Sequence, residues 1–186
     1  MKPTKIKGIT MRKLILAIAM LSLAACSAND IARSIDSTRA KLRTATIGLD
    51  QMKYGTKGVI DAVPQKICSG NKDDYITGLT TVKGTPVGFN SPEFLFITRY
   101  YGLFPDPSKY IEEMELQKRA LLLTKLAKDI YVFSDIGREH GNVYYEWAKE
   151  RIEKHQEIEM QGIISDIYHK DKGCLITLSD IAITKD

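Results

Sequence analysis

The stretch LQKRALLLTKLAKDIYVFSDI, from Leu116 to Ile136, decides which fold the sequence predicts. Its apolar residues recur at alternating intervals of four and three, at Leu116, Ala120, Leu123, Ala127 and Ile130. This spacing places the side chains on one face of an α-helix. Because Asp106 and Pro107 supply a helix cap and a first-turn proline, the pattern predicts one long helix over residues 107–136.

The segment after position 30 has the longest regular spacing in the chain. From Ile31 to Val63, apolar or small side chains recur at intervals of four and three, as at the a and d positions of a coiled coil. A helix over residues 30–63 would be about 50 Å long. Pro64 is expected to end it or to bend it.

The last third of the chain predicts another long helix, over residues 142–170, from an apolar stripe at helical spacing. Tyr144, Tyr145 and Trp147 cannot all lie on that stripe, so at least one of them is expected at the surface. The tail over residues 174–186 fits either a strand or a last helical turn. Its alternation of apolar and polar residues favours the strand.

An irregular insertion over residues 69–108 separates these helices and is rich in Gly, Pro, Thr and aromatic residues. Within it, Ser91 as a cap and Pro92 in the first turn predict a short helix over residues 92–101. The aromatic residues either cover the open end of a helical bundle or form a surface that binds a partner. The candidates for such a surface are Phe94, Tyr100, Tyr101 and Phe104.

Together these segments predict a mainly α fold. Three long helices in sequence favour an antiparallel up-down-up bundle, with the aromatic-rich insertion at its distal end or along a groove. The length from residue 26 to residue 186 suits a single helical domain.

The beginning of the sequence carries an export pattern. Residues 14–25 are apolar except for one serine and follow Arg12 and Lys13, but a helix needs roughly 20 apolar residues to span a bilayer. A basic segment, a short apolar run and small residues in this order are typical of a secretory signal. The end of the run, Leu23-Ala24-Ala25-Cys26, resembles the lipobox of bacterial lipoprotein precursors.

That resemblance implies cleavage between Ala25 and Cys26, removal of residues 1–25 as a signal peptide, and a diacylglycerol on the Cys26 thiol. The resemblance further implies that Ser27 directs the protein to the outer membrane, where it is lipid-anchored, most simply on the periplasmic face. The alternative is a buried helix with a core cysteine. Translation from Met11 instead of Met1 would leave the pattern intact.

Removal of the signal peptide changes the net charge. The full chain has 27 Lys and Arg against 23 Asp and Glu, and residues 1–25 hold five of the basic residues and none of the acidic ones. The mature chain is therefore close to neutral. Since a protein that binds nucleic acid by its phosphates needs a concentrated basic face, nucleic acid is excluded as an expected partner.

Once Cys26 carries lipid, Cys68 and Cys174 are the two remaining cysteines. An exported chain meets an oxidising compartment, so we expect a disulfide between them, with two separate buried thiols as the alternative. The up-down-up topology would bring both to the far end of the bundle, within the Cα distance of about 7 Å that a disulfide requires.

Sequence motifs give little support for catalysis. The GxSxG, HExxH, CxxC and GxGxxG patterns are absent from the sequence. His155 and Glu159 would share a helix face, but the paired Glu-x-x-His motifs of a bundle metal site are missing, so neither a metal nor another cofactor is expected.

Two classes of function stay open. The first is a non-enzymatic envelope lipoprotein that is held in the lipid bilayer by acylated Cys26 and binds another envelope protein. The second is a periplasmic hydrolase or small-ligand-binding lipoprotein that uses His155 and carboxylates such as Glu139, Glu146 and Glu150 in a cleft. The first class is preferred, and no catalytic residue is assigned.

Overall fold

A computed structural model describes residues 34–35, 37–38, 42, 57–136, 143–171 and 173–185 of the chain. The predicted signal peptide, its cleavage site and Cys26 lie outside the described residues, as does Glu139. None of the helices in the described ranges is long and apolar enough to cross a membrane.

A closed barrel of five strands forms the centre of the protein, so the prediction of a mainly α bundle is wrong. The strand order around the barrel is β1-β2-β3-β5-β4, and β4 returns to β1. The β3–β5 pair is parallel and the other four pairs are antiparallel. The strands are β1 (Leu79–Val87), β2 (Leu121–Ala127), β3 (Ile130–Asp135), β4 (Ile158–Lys170) and β5 (Gly173–Lys185).

Short helices surround this barrel. They are α1 (Pro64–Ser69), α2 (Pro92–Tyr100), α3 (Pro107–Gln117) and α4 (Val143–Glu153), with a 3-10 turn at Lys72–Asp74. Helix α2 confirms the helix predicted over residues 92–101. As expected from the capping pattern, the Ser91 hydroxyl accepts a hydrogen bond from the Phe94 amide at 3.1 Å.

The predicted helix over residues 107–136 is wrong beyond its first eleven residues. Asp106 caps α3 as expected, but Lys118 adopts a left-handed conformation (φ 51°) that ends the helix after Gln117. The rest of the stretch forms the β2–β3 hairpin, with Asp129 in a left-handed conformation at its turn. Apolar residues at helical intervals therefore belong to two buried strands.

The predicted helix over residues 142–170 is wrong in its second half. Helix α4 ends at Glu153, His155 lies in a left-handed turn (φ 50°), and β4 begins at Ile158. The tail forms β5, which confirms the extended conformation that its alternation favoured. The two strands are joined by a tight turn at Asp171 and pair over most of their length.

The predicted helix over residues 30–63 is wrong at its C-terminal end. Positions 34, 35, 37, 38 and 42 are helical, but residues 57–63 are not. Gly58 has a positive φ of 87°, and Val59 forms a parallel bridge to Leu79 at the start of β1. The Ile60 amide donates to the Leu79 carbonyl at 2.7 Å, so this segment extends the barrel wall instead of a helix.

The register separates an inner and an outer face of the barrel. Val132 on β3 pairs with Thr124 on β2 and with Ile176 on β5, so these three side chains share one face, and all three are fully buried. The next residue, Phe133, points the other way and makes an edge-to-face contact with Phe104 of the α2–α3 connection. The first face is therefore the barrel interior, and the α2–α3 connection packs against the outside of β3.

One disulfide joins Cys68 in α1 to Cys174 at the start of β5, with a Cα–Cα distance of 5.8 Å. The predicted pairing is confirmed, but the helical topology that was expected to bring the cysteines together is wrong. Their proximity arises because α1 packs against the ends of β3 and β5, where Ile67 is completely buried.

Candidate binding pocket

An open pocket of about 430 Å³ lies between the C-terminal half of α2 and two hairpin turns of the barrel. One turn joins β2 to β3 and the other joins β4 to β5. The lining residues are Phe96, Ile97, Tyr100, Tyr101, Asp129, Tyr131, Lys170, Asp171 and Gly173. The volume falls in the range of sites for small ligands or for one large side chain with its neighbours.

The helical side of the pocket is aromatic. Phe96 and Tyr100 lie one helical turn apart on α2 and their rings stack at a centroid distance of 5.5 Å. Tyr101 meets Tyr100 edge to face at 5.1 Å. Tyr101 is buried, whereas Phe96 remains 62% exposed, so an apolar ring stands at the mouth of the pocket without a cover.

The barrel side of the pocket is acidic. Asp129 and Asp171 occupy the two turns with φ angles of 58° and 48°, a conformation that aspartate tolerates better than most residues. The Cys174 amide donates to the Asp129 carbonyl at 2.9 Å, which links the two turns. Two carboxylates from distant positions in the sequence are thereby held at the same pocket.

Hydrogen bonds fasten α2 to the β4–β5 turn. The Tyr100 hydroxyl donates to the Asp171 carboxylate, and the Lys170 ammonium donates to the Tyr100 carbonyl. The same ammonium lies 4.8 Å from the centre of the Tyr100 ring, within the range of a cation–π contact. These contacts position Tyr100 at the edge of the pocket.

The carboxylates affect the tyrosines beside them. The hydrogen bond to Asp171 is the main cause that raises the pKa of Tyr100 to about 12. Burial raises the pKa of Tyr101, and the negative charges of Asp129 and Asp171 raise it further. Both phenols therefore stay protonated near neutral pH and present aromatic faces and neutral hydroxyls to the pocket.

A second polar contact holds the N-terminal end of α2 on the barrel. The Glu93 carboxylate accepts hydrogen bonds from the Tyr131 hydroxyl at 2.7 Å and from the Lys125 ammonium at 2.8 Å. The hydrogen bonds from Lys125 and then from Tyr131 lower the pKa of Glu93. Burial, followed by the bond to Glu93, raises the pKa of Tyr131 to about 12.

The residues predicted as a partner surface are distributed differently from that expectation. Phe94, Tyr101 and Phe104 are buried in the hydrophobic core, while Tyr100 is half-buried at the pocket. Tyr144, Tyr145 and Trp147 are all buried, so the expectation that one of them reaches the surface is wrong. Helix α4 packs against β1, and the Tyr145 ring stacks on Phe89 at a centroid distance of 6.1 Å.

The pocket residues contributed by the barrel were missed by sequence reasoning: Asp129, Tyr131, Lys170, Asp171 and Gly173. Their positions depend on two hairpins that the helical pattern concealed. The available signal was short, namely Lys128-Asp129 between two apolar runs and Asp171-Lys172-Gly173 before the tail. Short polar segments that contain Asp or Gly indicate tight hairpins when the flanking apolar runs are strands.

Two of the carboxylates considered for a hydrolase lie in the described part of the chain, and neither lines the pocket between α2 and the hairpin turns. Glu146 and Glu150 are exposed on α4, and Glu150 forms an ion pair with Lys154 at 2.6 Å. Because α4 ends before it, His155 shares no helix face with Glu159, whose carboxylate accepts a hydrogen bond from the Thr184 hydroxyl at 2.7 Å. Within the described ranges, no three His, Cys, Asp or Glu side chains form a group that could hold a metal ion.

Comparison of the chain with known protein families, with curated proteins and with solved structures gives no match.

Proposed function

We propose that this chain is a lipid-anchored envelope lipoprotein that binds another envelope protein through the mouth of the pocket between α2 and the hairpin turns. The observation that carries the proposal is Phe96, which is 62% exposed and stacked on Tyr100 beside a pocket of about 430 Å³. Exposed aromatic residues that border a pocket are the type of residue on which protein interfaces depend most.

Two features support a place in the cell envelope. The sequence resembles a lipoprotein precursor at Leu23-Ala24-Ala25-Cys26, and the Cys68–Cys174 disulfide is of the kind that persists in an oxidising compartment. Attachment of two or more acyl chains at Cys26 would hold the barrel stably at the membrane. In this proposal the protein is anchored in the outer membrane on its periplasmic face.

Partner binding is tested by photocrosslinking in living cells. A photoreactive amino acid replaces Phe96 in one strain and Leu116 in another, because Leu116 on α3 is also an exposed apolar residue, at 85%, but does not line the pocket. We expect a discrete crosslinked product of higher mass from position 96 and none from position 116. Equal products from both positions, or none from position 96, would overturn the proposed interface.

The anchor is tested separately by Cys26→Ser. We expect the wild-type protein to incorporate labelled palmitate and to sediment with outer membranes. The substitution should abolish incorporation and leave uncleaved precursor or soluble protein. Palmitate that still enters the Cys26→Ser protein would refute lipid attachment at this residue.

A further inference from the structure

We propose that the pocket between α2 and the two hairpin turns binds an arginine side chain of the protein partner. This inference rests on the proposed function, because it names the chemistry of the group that the partner inserts. It is drawn from the combination of an aromatic wall on one side and two aspartates on the other.

The charges that line the pocket favour a cation. Asp129 and Asp171 carry two negative charges, against one positive charge on Lys170. The Lys170 ammonium already donates a hydrogen bond to the Tyr100 carbonyl. The Asp171 carboxylate already accepts a hydrogen bond from the Tyr100 hydroxyl. No side chain in the described ranges forms a hydrogen bond or an ion pair with Asp129, so this carboxylate is available to a ligand.

The aromatic wall favours a flat cation with a long apolar stem. Phe96 offers an exposed ring, which is stacked on Tyr100, and Ile97 adds apolar surface to the lining of the pocket. A guanidinium group stacks on aromatic rings and donates two parallel hydrogen bonds to a carboxylate, which an ammonium does not do. The Lys170 ammonium 4.8 Å from the Tyr100 ring shows that the aromatic cluster accommodates a positive charge.

The volume of the site is compatible with a whole side chain. A volume of about 430 Å³ accommodates the arginine stem and leaves room for flanking backbone at the mouth. Phe96, at the rim, would then cover the stem from one side. In this arrangement the guanidinium lies near Asp129 and the partner backbone passes over α2.

The test uses the detergent-extracted, lipid-anchored full chain and saturation-transfer difference NMR, which detects weak ligands of large particles. The probes are N-acetyl-arginine methylamide and N-acetyl-citrulline methylamide, which have nearly the same shape but differ in charge. We expect saturable transfer to the arginine probe and at least about fivefold weaker binding of the citrulline probe. Equal binding of both probes, or no transfer to the arginine probe, would overturn the inference.

A matched pair of variants locates the site. Asp129→Asn keeps the shape of the turn residue and removes its charge. We expect this variant to bind the arginine probe about fivefold more weakly than the wild type does. Glu112→Gln removes an exposed carboxylate of α3 that does not line the pocket, and its affinity should equal that of the wild type. Equal affinities of Asp129→Asn and wild type would refute a role of this carboxylate.

Failure of this inference can be distinguished from failure of the proposed function. If position 96 yields its crosslinked product while the arginine probe does not bind, the proposed partner interface is supported. The inference that the pocket binds an arginine side chain is then refuted. If the arginine probe binds but position 96 yields no product, the pocket binds the cation and the interface proposal fails.

Discussion

At the scale of single residues, the pocket depends on one close contact between a glycine and a tyrosine. A Cβ atom added at Gly173 would lie 2.5 Å from the Tyr101 hydroxyl oxygen, which is shorter than any stable contact. Tyr101 is buried against the start of β5, so its ring has little room to move. The absence of a side chain at position 173 therefore lets α2 pack against the β4–β5 turn.

We predict that Gly173→Ala destabilises the protein by about 1–3 kcal/mol, because the added methyl group overpacks this contact. Tyr101→Phe removes the oxygen that the methyl group meets, so Gly173→Ala/Tyr101→Phe should recover most of the loss. Urea unfolding of the four proteins in a double-mutant cycle measures the coupling. Additive effects of the two substitutions would show that the contact does not control the packing.

The hydrogen bonds that Glu93 accepts make the stability of the folded protein depend on pH. The pKa of Glu93 is lowered by the hydrogen bonds from Lys125 and Tyr131, so the folded state favours the carboxylate. The stabilisation from these hydrogen bonds is fully present at a pH above 4.5, the usual pKa of a glutamate. It is lost as the pH falls through the lower pKa that Glu93 has in the folded state.

We therefore expect Glu93→Gln to lower the free energy of unfolding at pH 7 by up to about 1 kcal/mol, since the Glu93 side chain is 41% exposed and solvent weakens the ion pair. The difference from wild type should shrink as the pH approaches 3. Urea midpoints at several pH values measure it, with Glu112→Gln as an exposed control. A difference that grows at low pH would contradict the assignment.

At the scale of elements, the sequence predicts the short helix and the caps but not the barrel. Local signals are sufficient for α2 and the start of α3, because Ser91 and Asp106 bond to amides within three residues of themselves. In β2, by contrast, Leu121, Leu122 and Leu123 are all buried, so both faces of this strand are covered. A strand buried on both faces shows no alternation, and its apolar run resembles a helical stripe.

The barrel closes because β1 changes its partner at Gly84. Residues up to Gly84 pair with β4, and from Thr85 onwards β1 pairs with β2. A Cβ atom at Gly84 would lie 2.4 Å from the Lys125 carbonyl oxygen, which is a backbone atom and cannot rotate away. Glycine is the residue expected at such a barrel corner.

We predict that Gly84→Ala costs about 3 kcal/mol, at the upper end for overpacking, because the β1–β2 ladder has to shift. Gly88→Ala is the matched control, since the nearest atoms to an added Cβ there are 3.6 Å away. It should change the stability by less than about 0.5 kcal/mol. Thermal unfolding monitored by circular dichroism compares the two, and similar midpoints for both variants would argue against a corner at Gly84.

At the scale of the whole molecule, counting cysteines predicted the disulfide correctly, although the helical topology that was expected to bring the two cysteines together is wrong. The pairing required only that Cys68 and Cys174 be the two cysteines left after Cys26, whereas the fold required the register of five strands. Both carboxylates of the pocket come from hairpin turns. Because their proximity depends on that register, no local pattern around Asp129 or Asp171 indicates a shared site.

The same disulfide constrains almost the entire barrel. Its two cysteines are 106 residues apart in sequence, and the segment between them contains β1 to β4. In the chain-entropy account, closing a loop of this size stabilises the folded state by about 4 to 5 kcal/mol, because the unfolded chain loses conformations. The bond also ties α1, which precedes the barrel in sequence, to its last strand.

We therefore expect Cys68→Ala/Cys174→Ala to lower the free energy of unfolding by about 2–5 kcal/mol and to increase its dependence on urea, because the unlinked chain exposes more surface when it unfolds. A reductant should destabilise the wild type to a similar extent and leave the double variant unchanged. If the variant unfolds at the same urea concentration as the oxidised wild type, the barrel is held by strand pairing and core packing alone, and the disulfide adds no stability to it.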